Sequence, residues 1–166
     1  SNFFNSIHDI LNQPDSASVR NLAVLQGRTL TDDIRRLYDR VSQVRDDDNK
    51  QIGESAGRIN GLLGDVARLN VQIAIAEGGG TVASDAVGLR DKRSQALSEL
   101  SSIIDIQAVE QTTGDVTVFS GGDYLVFQGT VREVKSEPVP SGDLNKYEIR
   151  LKDTDSRIST TSGELA

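Results

Sequence analysis

The segment IGESAGRINGLLGDVARLNVQIAIA, residues 52–76, decides the fold of this 166-residue chain. Small and apolar residues recur within it at steps of three and four, at Ile52, Ser55, Ile59, Leu62, Val66, Leu69, Ile73 and Ala76. This spacing puts them on one stripe of an α-helix and is typical of a coiled-coil seam. The segment therefore predicts a helix that packs one face against a partner helix.

The same spacing recurs upstream, at Leu30, Ile34, Leu37, Val41 and Val44. The step from Val44 to Ile52 is eight residues, so Asp48 falls where the next seam residue is expected. An insertion of four residues is a stutter, which locally unwinds a supercoil. We predict that residues 30, 34, 37, 41 and 44 form a seam for a partner outside this chain.

The ends of the long helix are indicated by capping and breaking residues. Asp15-Ser16 offers an N-cap for a helix that begins at Ala17, and Gly78-Gly79-Gly80 ends it after Glu77. Upstream, residues 6–11 predict a short helix that Pro14 stops. Glycine costs about 1 kcal/mol relative to alanine in a helix interior, so the sequence leaves open an interruption near residues 53–64.

A second helix is predicted from a cap at Ser84 or Asp85 to about Ile104. Its apolar residues share one face, at Ala86, Leu89, Ala96, Leu97, Leu100 and Ile103. The short glycine turn makes it the antiparallel neighbour of the long helix. Because it reaches only the distal third of the seam, we expect residues 19–44 to lack a partner within this chain.

From Asp105 the hydrophobic period changes to two, which predicts short strands at residues 106–109, 116–119, 124–127, 131–135 and 146–152. Gly114 and Gly121-Gly122 supply turns, and Pro138 and Pro140 predict a longer loop. The predicted fold class is α+β: a long, coiled-coil-like helical hairpin followed by a small antiparallel meander. The predicted domains are residues 1–104 (helical), 105–153 (β) and a polar, truncated tail, 154–166.

Composition excludes several classes of function. The formal net charge is −7, and the chain lacks the basic patch that nucleic acid or an anionic membrane requires. There is no cysteine, and aromatic residues make up only 4%, which suits an elongated helical protein better than a compact globule. We expect no catalytic, cofactor-binding or metal site.

The individual candidates for chemistry favour structural interpretations. His8 is the sole histidine, and the consecutive Asp46-Asp47-Asp48 cannot converge on one ion because helical neighbours point about 100° apart. Asp153-Thr154-Asp155 lacks the glycine and distal glutamate of a calcium loop. Leu89-Arg90-Asp91-Lys92-Arg93 is interpreted as a charged helix face with intrahelical pairs.

Several segments together resemble the flagellar hook-associated protein 1 (FlgK) family. They are Leu89 to Arg93 followed by Ala96-Leu97-Ser98-Glu99-Leu100, the glycine-punctuated run from Gly114 to Gly129, Ile59-Asn60-Gly61-Leu62-Leu63, and Leu69-Asn70-Val71-Gln72-Ile73-Ala74. The resemblance implies an internal fragment of a secreted structural protein of the bacterial flagellum, lacking both terminal assembly segments. It implies export by the flagellar type III apparatus and a place at the hook–filament junction.

The partners implied are other axial proteins: the hook protein, a second junction protein and copies of the chain itself. We expect the isolated fragment to be a monomer. One alternative is a dimeric coiled-coil scaffold or signalling module, which would bury the seam against its symmetry mate. Another is a ligand-binding or enzymatic domain with a polar pocket in residues 105–152.

Overall fold

The computed structural model describes residues 2–78, 83–141 and 144–158. The helices are α1 (Asn2–Asn12), α2 (Ala17–Gly78) and α3 (Ala83–Ile103). The strands are β1 (Gln107–Glu110), β2 (Val116–Ser120), β3 (Asp123–Phe127), β4 (Thr130–Val131), β5 (Val134–Ser141) and β6 (Leu144–Leu151). The predicted α+β class, with a long helix followed by small antiparallel sheets, is confirmed.

The predicted helix start is observed. The Val19 N–H donates to the Ser16 hydroxyl at 3.4 Å, and the Arg20 N–H donates to the Ser16 carbonyl at 3.2 Å. The helix then continues through residues 53–64 without interruption. The predicted turn at Gly79-Gly80 and the side chains of Ser84 and Asp85 lie outside the described residues.

The chain divides into two compact units, Ser1–Asp48 and Asn49–Ala166. The division falls where the heptad spacing is interrupted, at Asp48. The predicted domain boundary at residue 104 stays a prediction. In the second unit, residues from helices and from strands contribute to one core.

In the first unit, α1 shields the beginning of α2. Ala23 is only 4% exposed, and a Cβ added at Gly27 would lie 3.1 Å from the Phe3 ring. The expectation that residues 19–44 lack any partner within the chain is therefore wrong at this end of the stripe. The physical reason is that the short predicted helix extends to Asn2 and brings Phe3 against α2.

The core of the second unit lies between α2, α3 and the sheets. Its fully buried members include Ile59, Leu63 and Val66 of α2, Leu100 and Ile103 of α3, and Val118, Leu125 and Val126 of the strands. The distal part of the predicted seam is thus buried, as its spacing indicates.

The first four strands form one antiparallel sheet in the order β1-β2-β3-β4. Gly121 and Gly122, both with positive φ, form the two-residue turn between β2 and β3, as predicted. A second two-residue turn, Gln128-Gly129, joins β3 to β4 and also has positive φ at both residues. A register shift interrupts the β2–β3 pairing between Val118 and Phe119.

The prediction of one strand over residues 131–135 is wrong. The sheet ends at Val131, and a separate two-stranded sheet begins at Val134. Between them, the Arg132 side chain pairs with Asp123 at 3.2 Å and with Asp153 at 2.7 Å. The Arg132 N–H still donates to the Leu125 carbonyl of β3 at 2.9 Å, whereas the Glu133 carbonyl accepts from the Lys152 N–H at 2.8 Å, so the backbone changes partner between these two residues.

The predicted loop at Pro138 and Pro140 is also wrong, because both prolines lie within β5, opposite Tyr147 and Asn145. Both prolines lie an even number of residues after Val134, so their backbone groups point to the same side of β5 as those of Val134. The Val134 N–H and C=O bond to the Asn60 side chain rather than to β6. Because this side of β5 faces away from β6, the missing proline N–H costs no hydrogen bond between the two strands.

Candidate functional site

The predicted partner-binding seam lies exposed on α2 in the first unit. Relative exposure is 59% at Ile34, 62% at Leu37, 48% at Val41 and 54% at Val44, whereas Leu30 is half-buried. We call these five residues the open seam. Burying one such side chain completely is worth about 1.5–3 kcal/mol, so the open seam is an apolar surface with substantial free energy to gain from a partner.

A groove continues from the open seam toward α1. It has a volume of about 660 Å³ and is bordered by Phe3, Gly27, Leu30 and Ile34, with charged residues at its rim. Apolar walls with a charged rim are typical of surfaces that bind another polypeptide helix. The partner itself stays a prediction.

A buried polar cluster in the second unit connects α3 to α2 and β1. Arg93 of α3 is only 4% exposed and donates to the Asn70 side-chain oxygen at 2.9 Å and to the Gly114 carbonyl at 2.8 Å. It also pairs with Glu110 of β1 at 3.1 Å. Three partners satisfy a guanidinium that would otherwise be costly to bury.

Arg90 extends this cluster at the surface. It donates to Glu77 of α2 at 2.8 Å and to Glu110 at 2.7 Å. These hydrogen bonds, first of all the one to Glu77, raise the pKa of the Arg90 guanidinium above its ordinary value. The interpretation of Leu89 to Arg93 as a face with intrahelical pairs is therefore wrong for both arginines, which bridge α3 to α2 and β1.

The sequence contains a signal for the buried arginine. The residues Ala86, Leu89, Arg93, Ala96, Leu100 and Ile103 step by three and four, so Arg93 occupies a position of the apolar stripe. A charged residue at a stripe position predicts a buried ion pair or hydrogen-bond network, whereas the mixed charges of residues 89–93 alone do not.

The other candidates stand apart from these surfaces. His8 and the three residues Asp46-Asp47-Asp48 are exposed on their helices. Asp153 pairs with Arg132, while Asp155 pairs with Lys135 at 2.8 Å and with Arg150 at 3.1 Å. Among the residues described, no three His, Cys, Asp or Glu side chains gather as metal ligands.

A hollow of about 440 Å³ in the β region borders Asp105, Gln107 and Ser120. It presents one carboxylate, that of Asp105. Over the described ranges, no helix combines the length and the apolar character needed to cross a membrane.

Comparisons with known proteins agree with this architecture. The whole chain, residues 1–166, matches the family described as the flagellar hook-associated protein FlgK helical domain. Flagellar hook-associated protein 1 of Escherichia coli (strain K12) is 28% identical over 156 residues, which is 91% of this chain and 27% of that protein. The counterpart of Bacillus subtilis (strain 168) is 25% identical over 112 residues, 68% of this chain and 22% of that protein.

The solved flagellar hook junction protein FlgK from Burkholderia pseudomallei superimposes with a TM-score of 0.80 at 30% identity. The match covers 91% of this chain and 26% of that one. This chain thus spans about a quarter of the length of the relatives it matches. The resemblance noted in the sequence is confirmed, and the chain belongs to the FlgK helical-domain family of flagellar hook-associated proteins.

Proposed function

We propose that this chain is a structural module of the bacterial flagellum, part of an axial protein that joins hook to filament and acts by subunit packing. The observation that carries the proposal is membership of the FlgK helical-domain family over all 166 residues. The open seam supports it, because an exposed apolar stripe on a helix suits a protein whose work is to pack against other polypeptide.

The partners in this proposal are the hook protein, a second junction protein and further copies of the same protein. The open seam binds an apolar helix face, with Leu30, Ile34, Leu37, Val41 and Val44 as knobs. The protein is extracellular, is exported by the flagellar type III apparatus and carries out no catalysis. The isolated chain is a monomer, since its partners lie in the assembled flagellum.

The test replaces Leu37 or Val41 by Asp in the full-length protein that contains this chain. A buried carboxylate in a helix–helix contact is strongly unfavourable, so we expect cells to lose filament attachment and motility. The melting temperature of the isolated chain should change little, because both side chains are exposed in it.

The matched control is Ile75→Asp, which places the same charge on an α2 residue that is 69% exposed and lies outside the open seam. We expect this variant to assemble normally. Normal filaments with either seam variant would contradict the proposal.

A further inference from the structure

The middle of α2 has no core against which to pack. No residue from Val24 to Glu54 is buried, in a stretch of helix that the structure describes completely. This stretch makes about eight helical turns. Among the described residues of the first unit, only Ser6 and Ala23 are buried. This part of α2 therefore lacks the burial of an apolar face that supplies most of the stability of helices in proteins.

The same helix has a full core further along the chain. Between Ser55 and Ile73, α2 buries residues in every turn, among them Ile59, Leu63 and Val66, which are 0% exposed. These side chains pack against α3 and the strands, so unfolding this part of α2 would expose the core of the second unit. The two parts of α2 thus differ in what resists their unfolding, although the helix is continuous.

The local sequence does not compensate for the missing core. Residues 42–50, SQVRDDDNK, consist mainly of Ser, Val, Asp and Asn, which form helices less readily than Ala, Leu or Glu. The short polar side chains among them compete with the helix for backbone hydrogen bonds. Upstream, the ion pairs of Arg35 with Asp32 and of Arg36 with Asp33 are exposed, and such pairs contribute little.

We infer that residues 28–50 of α2, which we call the front segment, unfold and refold locally in the free chain while residues 55–73 stay helical. The front segment begins after Gly27, where Phe3 of α1 packs, and ends before Ser55, the first buried residue of the second unit. A segment with few buried contacts opens at a small fraction of the free energy of global unfolding. The front segment meets this condition along its whole length.

The inference deepens the proposed function and rests on it, because the open seam lies within the front segment. Leu30 to Val44 form one apolar stripe only while this segment is helical. A partner helix on the open seam binds the helical form, so its binding closes the segment. The apparent affinity of the partner falls with the fraction of chains in which the segment is open. The front segment thereby couples local folding to docking.

Amide hydrogen exchange of the free chain, followed by mass spectrometry, measures this opening. We expect peptides within residues 31–45 to exchange at least about a hundredfold faster than peptides within residues 59–70, after correction for the intrinsic rate of each sequence. Equal protection of the two ranges would overturn the inference. That result would leave the test of the open seam by Leu37→Asp untouched, so the two proposals fail separately.

A double variant, Asp39→Ala with Asp46→Ala, tests whether the opening is an unfolding of the helix. Both positions are exposed and lie on the side of α2 opposite the open seam. Alanine favours a helix more than aspartate does, so we expect the front segment of the double variant to exchange roughly threefold to tenfold more slowly.

The matched control is Asp91→Ala, the same change at an exposed position of α3. It should leave the exchange of the front segment unchanged, because α3 belongs to the second unit. Unchanged exchange in the double variant, or equal slowing by Asp91→Ala, would contradict local unfolding of the front segment.

Discussion

The Asn70 side chain bonds both backbone polar groups of Val116. Its oxygen accepts from the Val116 N–H at 3.0 Å, and its NH₂ donates to the Val116 carbonyl at 2.8 Å. β3 ends at Phe127, before it reaches Val116, so the amide replaces the strand that would otherwise continue the ladder. Through Asn70, α2 is thereby hydrogen-bonded to the start of β2.

Asn70→Ala should destabilise the chain strongly. It leaves the Val116 N–H and C=O without partners and removes one acceptor of Arg93, all in a buried setting. At about 1–3 kcal/mol for each unsatisfied buried group, we expect a loss of about 3 kcal/mol or more in the free energy of unfolding, measured by urea titration. Asn21→Ala, at an exposed position of α2, is the control and should change stability by less than about 0.5 kcal/mol. Similar losses in both variants would contradict this role of Asn70.

Asn60 makes the same arrangement with the second sheet. Its oxygen accepts from the Val134 N–H at 2.8 Å, and its NH₂ donates to the Val134 carbonyl at 2.9 Å. Asn60→Ala should therefore release β5 and β6 while leaving β1–β4 attached through Asn70. We expect amide hydrogen exchange to accelerate at Val134 and its neighbours, by about tenfold for each 1.4 kcal/mol lost, with little change at Val118. Uniform acceleration across both sheets would show that the sheets open together.

The sequence predicts the parts of this fold that depend on the spacing of apolar residues. Apolar residues at steps of three and four predict the buried face of α2. Alternating apolar and polar residues, together with Gly121-Gly122, predict the β2–β3 hairpin. It did not predict the roles of Asn60 and Asn70, because an amide that bonds a distant strand depends on tertiary position rather than local pattern. Arg93 differs, since its place on the apolar stripe of α3 is a sequence signal for burial.

The failure at residues 131–135 has a similar cause. The apolar alternation of Val131 and Val134 indicates one strand, but the backbone partner changes from Leu125 of β3 at Arg132 to Lys152 at Glu133. A change of partner strand depends on tertiary position and has no local signature. The open seam, by contrast, follows from helical spacing alone, while a partner for it stays a prediction.

The pairing of Asp153 with Arg132 predicts a pH dependence of stability. Hydrogen bonds from Arg132 are the main cause that lowers the pKa of Asp153 below its ordinary value of 3.8. A lowered pKa in the folded state gives a contribution that is present above pH 3.8 and is lost as the pH falls through the folded-state value. Asp153→Asn should therefore lower the urea midpoint at pH 7, and its difference from the parent chain should disappear in strong acid.

The control for the pH experiment is Asp47→Asn, at an exposed position of α2. It should leave the urea midpoint at pH 7 nearly unchanged, since exposed helix positions contribute little. A difference between Asp153→Asn and the parent chain that persists at pH 2 would contradict the assignment of the effect to the carboxylate charge.

Alanine substitutions at two glycines distinguish the effect of backbone conformation on stability from the effect of side-chain packing. A Cβ added at Gly57 of α2 or at Gly122 of the β2–β3 turn would meet no atom within 4 Å. Gly57 is helical, so Gly57→Ala should raise the free energy of unfolding by up to about 1 kcal/mol. Gly122 has a φ of 95°, so Gly122→Ala should lower it by about 1–2 kcal/mol. Thermal and urea unfolding of the two variants measure both changes. A loss of stability in Gly57→Ala would contradict the open space that the structure shows around this position.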